Sequence, residues 1–243
     1  MFEQQIQQYL TKNGFGTWTP KAVLFDMDGV LYDSMPHHAV AWQRSMAQFG
    51  LHMTANDAYA TEGARGVDTI RQIVRQQQGR EISEAEAQKM YDLKTHYFHE
   101  MPTAPIFDGV LELMEQIRQA GITIGVVTGS GQKPLLDRLL KDFNGYLSED
   151  HIVSAYDVKH GKPAPDPYLM GLEKTGGYLP NEGIVVENAP LGVRAGVAAH
   201  IFTVAINSGP LPDKALIAPG ANLLFPTISD FAKSFAQLIA QKS

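Results

Sequence analysis

Two carboxylates two residues apart, Asp26 and Asp28, close the apolar run in AVLFDMDGVLYDS, and Gly29 follows them. In an extended segment residues i and i+2 project to one side, so the pair can converge at the carboxyl end of a buried strand. Such a pair suits metal binding and phosphoryl transfer, which also call for an anion cradle, a cation and further oxygen ligands. Each is present downstream. Val126 and Val127 run into Thr128-Gly129-Ser130-Gly131. Hydroxyls and a glycine-rich turn before a helix offer an anion site, or simply cap the helix. The segment Gly161-Lys162-Pro163-Ala164-Pro165-Asp166-Pro167 holds Lys162 on a connection stiffened by proline, with Asp166 expected as helix N-cap and Pro167 at the first helical position. A lysine held in this way can neutralise a phosphate. A third apolar run, Val185-Val186, ends in Glu187-Asn188. Magnesium takes oxygen ligands from a few carboxylates, waters and substrate phosphate; Asp26, a backbone carbonyl near Asp28, and Asn188 or Glu187 would suffice.

Positioning these residues requires short buried strands that end together. Apolar runs predict strands over 21–25, 122–127, 152–155, 184–186, 201–205 and 222–225, with helices over 109–120, 133–140, 167–174, 191–199 and from about 229. Strands alternating with helices indicate a Rossmann-like, doubly wound α/β core with a mostly parallel sheet. Ligands bind such sheets outside the carboxyl ends of the strands. Between 35 and 104 helical spacing takes over, as in Ala39, Trp42, Met46 and Phe49, and predicts an inserted α-helical cap of about four helices. The core is then 1–34 with 105–243, and Phe2, Ile6, Tyr9 and Leu10 mark a helix over 2–13 packed on it.

The chain's 243 residues allow a domain with an insertion, and 44% hydrophobic with 19% charged residues is ordinary for a globular protein. A net charge of −6 argues against a nucleic-acid partner, whose phosphates are met by Lys and Arg. The absence of cysteine removes disulfides, zinc–thiolate sites and thiol catalysis. No apolar stretch approaches the roughly 20 residues of a membrane helix, and the N-terminus lacks a basic region followed by an apolar run. A soluble cytoplasmic protein is expected, with a small phosphorylated substrate, no nucleic-acid or membrane partner, and a monomer as the working state.

DMDGV, VVTGS, GKPAPDP and VVEN resemble the four motifs of the haloacid dehalogenase superfamily over essentially the whole chain after the first helix. The helical insertion directly after the first motif is similar to that of the β-phosphoglucomutase-like subfamily. The resemblance implies attack of Asp26 on phosphorus to give an aspartyl phosphate, with Asp28 protonating the leaving oxygen and then deprotonating the acceptor. It also implies that Thr128 and Lys162, with Gly129 and Ser130, hold phosphoryl oxygens, and that Mg2+ binds Asp26, the Asp28 carbonyl, Glu187 and Asn188. The family commonly has a second acid where this chain has Asn188.

The cap should choose the acceptor. Ser34, His38, Trp42 and Lys94 resemble hinge and cap residues of β-phosphoglucomutases, whereas Glu62-Gly63-Ala64-Arg65-Gly66 departs from them. A mutase arginine would fall at Gly66, with Arg65 adjacent, and Glu62 brings a carboxylate instead. Glu62 can reach the magnesium shell or pair with Lys94 over a compact substrate, a pattern that resembles a dehalogenase-superfamily inorganic pyrophosphatase. His37 and the His96/His99 pair lack a third metal ligand. Three readings follow: hydrolysis of a small phosphate such as pyrophosphate or a sugar phosphate, β-phosphoglucomutase isomerisation of β-glucose 1-phosphate, and, disfavoured, a non-enzymatic phosphate-binding protein.

Overall fold

The computed structural model describes residues 2–240. Its elements run α1 Glu3–Asn13, β1 Ala22–Phe25, α2 Met35–Ala47, α3 Ala55–Ala60, α4 Gly66–Gln78, α5 Glu84–His99, α6 Val110–Gln119, β2 Thr123–Val127, α7 Lys133–Asp142, β3 Ile152–Val153, α8 Asp166–Gly176, β4 Gly183–Glu187, α9 Pro190–Ala198, β5 Phe202–Ile206, α10 Lys214–Ile217, β6 Leu223–Phe225 and α11 Ile228–Ile239. The strands form one six-stranded sheet in the order β3-β2-β1-β4-β5-β6, with every pairing parallel. This is a Rossmann-like α/β fold. Strand order reverses beside β1, which places the ligand crevice at the carboxyl ends of β1, β2 and β4.

Central strands covered on both faces must be apolar throughout, and β1, β4 and β5 are buried along their whole length. Val23, Phe25, Val186 and Val204 face α1, α6, α7 and α11, whereas Leu24 and Val185 face α8 and α9. The period of two along each strand thus builds two apolar layers. Helix α6 meets its layer through Val110, Leu113, Met114 and Ile117, one stripe at helical spacing.

Helices α2 to α5 pack around an apolar cluster of their own, with Trp42, Met46, Ile70, Val74 and Met90 at its centre. Two strands of connection join this module to the sheet. Asp33 N–H donates to Pro105 O at 3.0 Å and Phe107 N–H to Leu31 O at 3.0 Å, so the chain leaves and returns side by side. The first helix lies on the sheet: Tyr9 Oη donates to His200 O at 2.9 Å, and its ring meets that of Phe202 at 5.3 Å.

Some local expectations differ from the structure. Asp166 is the first residue of α8, not its N-cap; Pro165 holds that position without a side-chain bond, and Asp166 Oδ1 instead faces His160 Nδ1 at 3.1 Å. Strand β3 stops at Val153, because Ser154 turns out of line to meet Asp157, which accepts from both its N–H and Oγ. The short helix α10 has only four residues, too few for a helical period to show in the sequence. Among the described residues no helix is long and apolar enough to cross a membrane.

Trp18 is fully buried, with its ring 5.0 Å from that of Phe202. Trp18→Ala is expected to cost about 3–5 kcal/mol of stability, seen in urea unfolding as a lower midpoint at unchanged slope.

Candidate active site

The parallel register brings three strand ends to one level. Asp26 follows β1 directly and donates its N–H to Val186 O at 2.9 Å. Lys162 reaches across from the segment before α8. Its buried Nζ donates to Asp26 Oδ1 at 2.5 Å, Glu187 Oε1 at 2.6 Å and Val127 O at 3.0 Å, which uses all three of its protons. Burial alone would lower Lys162, but Asp26 and Glu187 outweigh it and hold the ammonium charged. Burial pushes the Asp26 carboxyl well above its ordinary range; Lys162 draws it back, while Glu187 and Glu62 add to the rise.

Glu187 is more committed than its position in the sequence suggested. Its Oε1 also accepts from Tyr168 Oη at 2.6 Å, and its Oε2 accepts from the N–H groups of Asn188 at 3.0 Å and Ala189 at 3.3 Å. Both oxygens therefore accept from protein donors, and Glu187 supports Lys162.

Extended geometry ends at Phe25, and Gly29, at φ +83°, turns the loop back. Asp28 consequently faces the helical module and not the Lys162 cluster. Its Oδ1 accepts from Ser34 Oγ at 2.5 Å, and His38 Nε2 lies 3.1 Å from it, at ion-pair distance but not aimed for a hydrogen bond. Lys94 Nζ sits 2.6 Å from His38 Nδ1. If the ammonium donates there, the His38 proton is on Nε2, facing Asp28. Burial would raise the Asp28 carboxyl, yet the His38 ring, the Ser34 hydroxyl and the Lys94 charge hold it below its ordinary range. Burial likewise lifts the Glu62 carboxyl, against the pull of His38 and Lys94, and brings Lys94 down to about 8.

Asp28, His38, Glu62, Lys94, Gly129 and Ser130 line one cavity of about 30 Å³, together with Trp42, Tyr91 and Gln132. Thr128 Oγ1 accepts from Ser130 N–H at 3.0 Å, so the hydroxyl shapes the turn it belongs to. Arg65 does not join the cavity wall. It lies at the seam between module and core, with its guanidinium 3.6 Å from Glu84 and 3.9 Å from Asp68. The seam is closed. A Cβ on Gly129 would stand 3.0 Å from Gly63 O, and one on Gly63 would stand 3.0 Å from Lys162 Cδ. Tyr168, Tyr91 and Gln132 were not singled out from sequence, since a tyrosine at helical spacing reads as core and a glutamine before a helix reads as surface.

A family model for haloacid dehalogenase-like hydrolases matches residues 23–206. The chain belongs to that family. Among curated relatives, hexitol phosphatase A of Escherichia coli is 32% identical over 188 residues, 77% of this chain and 83% of that protein. A β-phosphoglucomutase of Bacillus subtilis is 24% identical over 194 residues, 78% of this chain and 84% of that protein. Among solved structures, one described as a putative β-phosphoglucomutase from Bacteroides vulgatus superposes with a TM-score of 0.94 at 48% identity, covering 99% of this chain and 97% of that one. The chain is therefore similar to enzymes of both kinds, phosphatases and phosphoglucomutases.

Haloacid dehalogenase-like hydrolases of this kind imply a magnesium ion, and the residues present fit one. Asp26 Oδ2 and Asn188 Oδ1 are buried oxygens without a hydrogen-bond partner, on the loops that follow neighbouring strands. Unpaired buried oxygens are costly, and a hard cation would satisfy both. Among the described residues no group of three or more His, Cys, Asp or Glu side chains could hold a metal, so such a site would draw on an amide and backbone carbonyls beside Asp26.

Two predictions follow from this geometry. Gly129→Ala should keep the Glu62 loop from seating and lower kcat/KM on the order of ten-fold, with faster amide exchange over 61–65 and a thermal midpoint close to that of the unaltered chain. Since Lys94 falls from 10.5 to about 8 on folding, the unfolded chain binds its proton more tightly between those values, and stability rises with pH across that window. Lys94→Met should remove that rise, measured by urea unfolding at pH 7.5 and pH 9.5 or so.

Proposed function

We propose that this chain is a magnesium-dependent phosphohydrolase that acts through an aspartyl phosphate on Asp26, with a compact phosphate, inorganic pyrophosphate, as its substrate. The observation that carries this reading is the lining of the small cavity between module and core. Its volume is about 30 Å³, and its one fixed cation, Lys94, is opposed by Glu62 and Asp28. A mutase must enclose a hexose carrying two phosphates, and no arginine lines this wall to hold the second. A pyrophosphate or phosphate group needs far less expansion of the seam.

The residues then divide the work. Asp26 attacks phosphorus, forming its O–P bond as the bond to the leaving oxygen breaks. Lys162 offsets charge on Asp26 and the transferring group, and the Thr128–Ser130 turn offers N–H and hydroxyl donors to phosphoryl oxygens. Magnesium, held by Asp26, the Asp28 carbonyl and Asn188, would supply further charge neutralisation at the phosphate. A leaving phosphate is far less basic than a sugar alkoxide, so it departs with less help from an acid. An Asp28 held in its ionised form by Ser34 and His38 suits the second step best. There it takes a proton from water as the water oxygen attacks phosphorus, freeing phosphate and restoring Asp26.

Phosphate release from pyrophosphate and from hexitol and sugar phosphates, run beside a coupled assay for conversion of β-glucose 1-phosphate to the 6-phosphate, tests this. Pyrophosphate turnover that disappears in Asp26→Asn is expected; sugar conversion faster than hydrolysis would establish the mutase reading instead. Glu62→Ala should lower pyrophosphate turnover on the order of a hundred-fold and that of an aryl phosphate far less. Equal losses on both would remove Glu62 from substrate selection.

A further inference from the structure

One fully buried residue in contact with the Lys162 cluster has no part in the steps above. Tyr168, on α8, donates from Oη to Glu187 Oε1 at 2.6 Å, and the Lys162 ammonium lies over its ring, 5.0 Å from the centroid. Burial raises the phenol well above its ordinary pKa and the Glu187 charge raises it further, so the hydroxyl keeps its proton and is the donor. Glu187 Oε1 thus receives two donors, Tyr168 and Lys162, while Lys162 is divided between Glu187 Oε1 and Asp26 Oδ1.

A cation shared by two carboxylates moves toward the one whose charge is less dispersed. The Tyr168 hydrogen bond disperses charge on Glu187, and its ring face attracts and backs the ammonium. Tyr168 and Glu187 have no exposed surface, so both contacts are made inside the protein.

We propose that Tyr168 is a positioning residue for phosphoryl transfer: by holding Glu187 Oε1 and backing Lys162 with its ring, it keeps the cation on Asp26 and the transferring group. This rests on the phosphohydrolase reading for the roles of Asp26 and Lys162. Without the hydroxyl, Glu187 and Lys162 draw together and the cation recedes from the site where charge develops. Substrate capture by the cap and by the Thr128–Ser130 turn is left as it was, so the loss falls on kcat and not on KM.

The test is Tyr168→Phe, which removes one oxygen and keeps the ring. Expected are a kcat lower by about ten-fold, a KM within about two-fold, and weaker inhibition by orthovanadate, a five-coordinate mimic of the transferring phosphoryl group, in proportion to kcat. A lower thermal midpoint with a constant ratio of vanadate Ki to KM would mark a merely structural role and overturn the proposal. So would kcat and vanadate Ki at wild-type values. If Tyr168→Phe does not fold, 3,5-difluorotyrosine at 168 keeps the shape and strengthens the donor. Tighter vanadate binding than wild type then supports the proposal, and unchanged or weaker binding overturns it. Wild-type chain and Asp26→Asn run alongside. Absence of any Asp26-dependent phosphate release overturns the phosphohydrolase reading itself, whereas normal wild-type turnover with an indifferent Tyr168→Phe overturns only the positioning role.

Discussion

A single buried ammonium, shared by two carboxylates, sets the terms for the rest of the molecule. Taking Lys162, Asp26 and Glu187 out of water costs several kcal/mol per ion unless each is paired and hydrogen-bonded. Here all three Lys162 protons and both Glu187 oxygens are used. The contributing groups come from β1, β2, β4 and the segment leading into α8, which are far apart in sequence. Parallel pairing in register brings those chain segments to one level, so the sheet is what makes the ion cluster affordable. What the cluster leaves open, Asp26 Oδ2 and Asn188 Oδ1, is the opening for chemistry.

The helical module adds a second polar layer against the first. Ser34, His38, Lys94 and Glu62 surround Asp28, so the two aspartates of one short segment answer to different surroundings. Asp26 belongs electrostatically to the core, and burial raises it. Asp28 belongs to the module, which holds it ionised. Environments that push two neighbouring acids in opposite directions give them different work. A small cavity lies between the layers, and the module packs closely on the core at Gly129 and Lys162. The two connections between them run side by side near Asp33 and Pro105.

Much of this was legible in the chain itself. Central strands buried on both faces leave unbroken apolar runs, and the residues that end them are polar because they face the crevice; Asp26, Thr128 and Asn188 could be found in that way. The module was legible through a change from short apolar runs to helical spacing. Asp166 begins α8 and meets His160, a contact that competes with capping and leaves no local mark. Nothing in the sequence shows that Tyr168 and two backbone N–H groups would bond to Glu187. Arg65 sits beside the position of interest, but helix α4 begins at Gly66 and carries its side chain to the seam.

The sequence by itself therefore determined the family, the Rossmann-like core with its helical insertion, and the residue types at the ends of the strands, because those follow from periodicity and from short contiguous motifs. Only the tertiary structure decided which acid pairs with which base, how small the cavity is, and that Tyr168 stands behind Lys162. Those depend on side chains from separate segments, as far apart as Asp26 and Lys162 at a separation of 136, and no local pattern encodes them. The aspartate pair with which the chain announces its chemistry turns out to be two residues in two environments, divided by the turn at Gly29.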